Sequence, residues 1–135
     1  MLGDLIAEER GQVTGQRVVP GDHGLSPTVE TSFTGSGTLL GVTVNDLGSY
    51  SARMRADGTL KGDAQGVLMS PSGAHATWRG HGVGTSTDSG GTSFRGAIVY
   101  ESDSPEFADL RGVAGVFEFE VGADGKAHGK LWAWK

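Results

Sequence analysis

Four histidines, His23, His75, His81 and His128, and no cysteine set the first limits on chemistry. Without cysteine the chain has no disulfide, no thiolate nucleophile, and no zinc–thiolate or iron–sulfur site. His75 and His81 point the same way along one extended segment. Six residues at ~3.3 Å each separate them by about 20 Å, too far to share a metal ion. His23, in Gly21-Asp-His-Gly24, reads as a loop histidine. We therefore expect no metal and no cofactor. Glu118-x-Glu120 places two carboxylates about 7 Å apart on one strand face, the separation of an inverting glycosidase pair. The same pattern is common on solvated strands, so it fixes no reaction. Gly80-His-Gly-Val-Gly84 has the letters of a phosphate loop, but it lies in a strand pattern with no helix following to supply a dipole. No residue is singled out as catalytic by these patterns, and the catalytic set stays unknown at this stage.

Charge and composition narrow the partners. Acidic residues outnumber basic ones, 16 to 11, for a net charge of −5. That argues against a general nucleic-acid binder, whose affinity comes from neutralising phosphates. Aromatic residues do not interleave with a basic stripe, so stacking platforms for bases are not expected either. No apolar run approaches the roughly 18 residues of a membrane span. The segment Met1-Leu-Gly-Asp-Leu-Ile-Ala-Glu-Glu9 has acids where a signal peptide carries bases. The expectation is a cytoplasmic protein without nucleic-acid or membrane partners, folded as a single domain over residues 1–135.

These residues need a scaffold, and the scaffold is all β. Apolar residues recur every second position, most clearly in Val116-Phe-Glu-Phe-Glu-Val121, where Phe117, Phe119 and Val121 share one face. Turn signals separate the extended runs. Asp57-Gly58 and Asp124-Gly125 suit two-residue hairpins, while Asn45-Asp-Leu-Gly48, Ser70-Pro-Ser-Gly73 and Asp88-Ser-Gly-Gly91 suit slightly longer ones. Between them the reading predicts strands at about 11–19, 28–34, 37–45, 49–56, 59–69, 75–86, 92–102, 115–122 and 127–134. Residues 2–9 read as a further strand or a short helix. One helical turn is predicted over Ser104–Leu110, with Ser104 as N-cap, Pro105 at the first position and Gly112 just past the end.

Antiparallel strands with no covering helix must close on themselves as a sandwich or a barrel. The short sequential hairpins favour a small antiparallel up-and-down β-barrel of about eight strands. The chain has 24 glycines in 135 residues, well above the usual share of roughly 7 %. Gly80, Gly82 and Gly84 share a face with Trp78, Gly62 and Gly66 with Leu60, Ala64 and Leu68, and Gly96 with Phe94, Ile98 and Tyr100. Such repetition fits tight coiling around a narrow interior, where large and small residues alternate.

The aromatic and glycine face is then the inner one, and Tyr50, Met54, Trp78, Phe94, Tyr100, Phe117 and Phe119 become the expected wall of a site for one small, mostly apolar molecule. Burial at about 25 cal/mol per Å² would drive binding, with the Tyr50 and Tyr100 hydroxyls orienting the guest. Arg53, Arg55, Lys61, Asp63, Arg79, His81, Arg95, Glu101, Glu118 and Glu120 fall on the outer wall. The rival reading, an isomerase, cyclase or hydrolase, requires acid–base residues inside. Its candidates are Glu8 or Glu9, Arg79, His81 and Glu101. A third reading is a ligand-free structural protein. Trp132 and Trp134, on one face of the last strand, either close the base of the barrel or meet a partner subunit, and a homo-oligomer is expected.

Several segments resemble known families. Trp78-Arg-Gly-His-Gly82 is similar to the G-x-W or W-x-G-x-G element of lipocalin-like and nitrobindin-like barrels, although those carry it on the first strand; here the arginine or the tryptophan is expected to stack across a barrel end. Gly35-Ser-Gly-Thr-Leu-Leu-Gly41, Ala76-Thr-Trp-Arg-Gly80, Phe94-Arg-Gly-Ala-Ile-Val-Tyr100, Gly112-Val-Ala-Gly-Val-Phe-Glu118 and Gly129-Lys-Leu-Trp132 resemble a family of prokaryotic proteins of unassigned function. More distantly, the C-terminal half resembles the allene oxide cyclase barrel family. There a short helical turn is followed by a Gly-x-x-Gly-x-Phe entry to the next strand, as in Gly112-Val-Ala-Gly-Val-Phe117 here. Ala7-Glu-Glu-Arg10 is similar to that family's acidic first strand. The resemblance implies a calycin-type barrel, a lumen for a small apolar ligand and oligomers. These glycine-centred motifs specify backbone shape, and a shared fold does not carry an activity with it.

Overall fold

The computed structural model describes residues 2–21 and 26–135; His23 lies outside them. Eight strands run in sequence order: β1 (Leu2–Val19), β2 (Thr28–Leu39), β3 (Val42–Met54), β4 (Leu60–Met69), β5 (His75–Ser86), β6 (Thr92–Glu101), β7 (Ala114–Val121) and β8 (Lys126–Trp134). Each pairs antiparallel with the next and β8 closes on β1, giving an up-and-down barrel without an open edge. A 3-10 turn, Pro105–Leu110, precedes β7.

Glycine at positive φ marks the turns where the sequence placed them: Gly58 (+85°), Gly73 (+92°), Gly90 (+86°) and Gly125 (+82°), with Gly112 (+75°) just past the 3-10 turn. The first half of the chain departs from the expected strand limits. Residues 2–9 are not a helix but the start of one 18-residue β1, with a bulge between Val13 and Gly15 on its β2 side and register shifts between Leu2 and Leu5 and between Leu5 and Ala7 on its β8 side. Asn45-Asp-Leu-Gly48 is not a hairpin loop. It lies within β3, paired on both sides, and the turn comes earlier, at Leu40 (φ 51°) and Gly41 (φ 77°). Two consecutive positive φ values give the twist that a two-residue hairpin needs. Ser104 does precede the 3-10 turn, but its hydroxyl does not cap it. Instead it accepts the His75 backbone N–H at 3.0 Å, tying the turn to β5.

That turn seals one end of the barrel. Phe107 and Leu110 are buried and pack with Leu39, Val44, Leu68, Ala76 and Leu131. The glycine faces are explained by the rings beside them. A Cβ on Gly66 would stand 2.4 Å from the Trp78 indole, and one on Gly84 would stand 2.6 Å from the Phe94 ring. Two large rings fit the narrow bore because the strands beside them carry no side chain there.

Candidate functional site

Above the sealed end the bore holds a cavity of about 110 Å³. Inward alternation delivers the wall: β2 gives Phe33, β3 Tyr50, β5 Trp78, β6 Phe94 and Tyr100, β7 Phe117 and Phe119. The rings make one cluster, with centroids 5.3 Å apart for Phe33 and Phe119, 5.4 Å for Tyr50 and Phe94, and 6.2 Å for Phe33 and Trp78. Tilted and edge contacts of this kind hold each ring in place. Six of the seven wall residues expected from the sequence thus surround one cavity. Met54 does not. It has the inward parity, but it ends β3 opposite Leu60, beside the hairpin, and is 58 % exposed. Trp78, also considered for stacking across a barrel end, is buried in the bore and lines the cavity.

The outer wall carries ion pairs among exposed apolar side chains such as Leu47, Val67 and Val99. His81 bonds Asp63 at 2.9 Å across the β4–β5 pair, and Arg95 reaches Glu120 at 2.7 Å and Glu118 at 3.6 Å across the β6–β7 pair. Arg79, His81 and Glu101 are exposed. Pointing away from the lumen, they cannot act as its acid–base groups. Glu8 also points outward, where it meets His128 at 2.6 Å.

Glu9 is the exception on the inside. It follows Ala7 on the inward face of β1 and joins Asp46 of β3 on the cavity wall. Strand β2 lies between them. Glu9 is opposite Gly37 and Asp46 is opposite Gly35, so no β2 side chain separates the carboxyls. A Cβ on Gly35 would stand 3.2 Å from Glu9 Oε1 and 3.9 Å from the Asp46 Cβ. Asp46 is only 6 % exposed, and its Oδ1 accepts the Trp78 indole N–H at 2.9 Å. Glu9 Oε1 is buried with no donor among the described residues.

The two carboxyls meet over Gly35, where ionising one opposes ionising the other. Burial is the largest influence on Glu9; the Asp46 charge and the bond to Asp46 act with it, pushing the Glu9 carboxyl up to about 9. Burial raises Asp46 as well, opposed first by the Trp78 N–H and then by the bond from Glu9. Both carboxyls are pushed up, so the pair as a unit keeps a proton above the ordinary carboxylate range. Burial, then the charges of Glu9 and Asp46, also raise the Tyr100 phenol, which stays neutral. Asp46 was hidden in the sequence by its turn-like neighbours. The signal that finds it is the alternation Val42, Val44, Asp46, Gly48, Tyr50, which runs through Asn45–Gly48 unbroken.

No family model and no curated protein matches the chain. Solved structures resemble it. A protein of unknown function from Clostridium acetobutylicum superposes with a TM-score of 0.82 over 96 % of both chains at 15 % identity. A conserved protein of unknown function from Rhodopseudomonas palustris gives 0.80 over 99 % of both at 12 % identity. A β-barrel-like protein from Acinetobacter baumannii gives 0.75, covering 98 % of this chain and 96 % of that one, at 14 % identity. At these identities the likeness establishes the closed barrel and leaves the chemistry to this chain's own residues.

Proposed function

We propose that the lumen binds one small, mostly apolar molecule carrying a hydrogen-bond acceptor such as a carbonyl oxygen. The observation that carries this is the inward Glu9–Asp46 carboxyl pair in a cavity whose wall is otherwise mainly aromatic rings, glycines and aliphatic side chains such as Ile98 and Leu131. An apolar wall binds through burial, and one fixed polar group orients the guest. A carboxyl kept neutral by its surroundings is a donor, so the guest offers an acceptor. A cavity of about 110 Å³ limits the guest to roughly a five- or six-membered ring, since a dry cavity of about 150 Å³ holds benzene. Saturation-transfer NMR with cyclopentanone and cyclohexanone tests this. Transfer to the ring protons, lost when Gly62→Leu fills the bore beside Phe94, is the expected result; no transfer from the parent protein overturns it.

The distant kinship with allene oxide cyclase-like barrels belongs to the same proposal. It is supported by the 3-10 turn and the Gly112-Val-Ala-Gly-Val-Phe117 entry into β7. A second reading, assembly of copies of this chain, is supported by an apolar ladder on the outer wall. Ala97, Val116, Trp132 and Leu5 lie side by side across β6, β7, β8 and β1, with Trp134 64 % exposed beside them. Sedimentation of the parent as an oligomer and of Trp132→Lys as a monomer is expected; a monomeric parent refutes it.

A further inference from the structure

We propose that Glu9 and Asp46 form an acid–base pair that enolises a small ketone held among the aromatic rings. This rests on the lumen-binding reading and deepens it by naming a reaction. The geometry supplies both partners of a proton transfer at one spot. Asp46 is anchored through Oδ1 to the Trp78 indole, leaving Oδ2 free of that bond. Glu9, across glycine-lined β2, brings a buried oxygen that no donor among the described residues satisfies. One proton shared by two carboxyls makes one of them an acid and the other a base. Residence in an apolar wall strengthens the pull of each on a developing charge.

The step balances within the pair and the substrate. The Glu9 carboxyl donates its hydrogen bond to the carbonyl oxygen. Asp46 removes a proton from the carbon beside the carbonyl. The C–H electron pair becomes the new C=C bond, the carbonyl π pair moves to oxygen, and that oxygen takes the Glu9 proton. The enol then leaves Asp46 protonated and Glu9 ionised. The reverse step restores the ketone, or moves the double bond of an unsaturated ketone when the proton returns to a different carbon. Nothing is oxidised or reduced.

The test follows the α-protons of cyclopentanone and cyclohexanone by proton NMR in D2O, with the full chain present, and reads saturation transfer in the same samples. Exchange at least tenfold faster than in protein-free buffer is expected. It should fall to the buffer rate in Glu9→Gln and Asp46→Asn, while saturation transfer persists. Saturation transfer without faster exchange overturns the acid–base inference and leaves the binding reading standing; absence of both overturns both. Fast exchange that survives in both variants also overturns it, because the catalysis then lies elsewhere. Near-UV circular dichroism checks that each variant folds. Glu9→Gln, which mimics the neutral acid, carries the comparison if Asp46→Asn does not fold.

Discussion

Trp78 and Asp46 depend on each other. The indole N–H is a buried donor, the carboxylate a buried acceptor, and the bond between them is 2.9 Å. Trp78→Phe keeps most of the ring but removes the donor. A buried charged acceptor left short of a partner costs about 1–3 kcal/mol or more, so urea unfolding should show a loss of that order. The same substitution in an Asp46→Asn background should cost clearly less. Equal losses in the two backgrounds would mean that ring packing, not the hydrogen bond, sets the cost. The aromatic partners were legible because alternation alone fixes which way a strand residue points, and Phe117, Phe119, Trp78 and Phe94 sit in unbroken alternation. The carboxyls were only half legible. Glu8 and Glu9 are adjacent, so one had to face inward, and only the strand's register chose Glu9. Asp46 was lost because asparagine, aspartate and glycine in close succession favour turns locally. The pairing of β3 with both neighbours, a long-range effect, overrides that preference.

Within the strands, glycine is where the barrel's dimensions are written. The indole of Trp78 occupies the space over Gly66, where a Cβ would come within 2.4 Å. Gly66→Ala must therefore push the ring, and with it the bond to Asp46. Overpacking of this kind costs about 1–3 kcal/mol. Gly15, beside the bulge of β1, has nothing within 4 Å of a built Cβ and no positive φ. Gly15→Ala should leave stability unchanged or raise it slightly, by up to about 1 kcal/mol. Thermal melts of the two variants make the comparison, and similar shifts would show that composition rather than ring packing explains the glycine faces. Four of the five hairpin turns named from sequence were legible because each contains a glycine that takes positive φ. The Leu40–Gly41 turn was not, because leucine rarely adopts φ above zero and nothing in its side chain announces it.

Over the whole molecule the closed topology follows from short hairpins in series, which leave each strand beside its sequence neighbour and let β8 meet β1. Closure also takes Glu9 and Asp46 out of water together, so the stability of the barrel is linked to pH. Glu9 titrates near 9 in the fold and near its ordinary 4.5 once unfolded. Between those values the folded chain holds a proton that the unfolded chain has lost. Stability is then greatest at the acid end of the window and falls as pH rises toward 9, by at most about 1.4 kcal/mol per pH unit for one proton. The charged and titratable neighbours of Glu9 in the lumen are Asp46 and Tyr100. Raised pKa values in both push the same way, since ionising either is easier in the unfolded chain. The outer carboxylates act in the opposite sense at lower pH. Hydrogen bonds from His128, Thr59 and His81 hold Glu8, Asp57 and Asp63 below the usual range, so their contribution is lost as pH falls through their folded values. Denaturant melts of the parent should thus peak near the unperturbed carboxylate range and decline to pH 9. Glu9→Gln, which cannot ionise, should decline less steeply and be the more stable protein at pH 9. Parallel declines in the two proteins would show that Glu9 is already ionised in the fold, and the neutral donor assigned to the lumen would be lost with it.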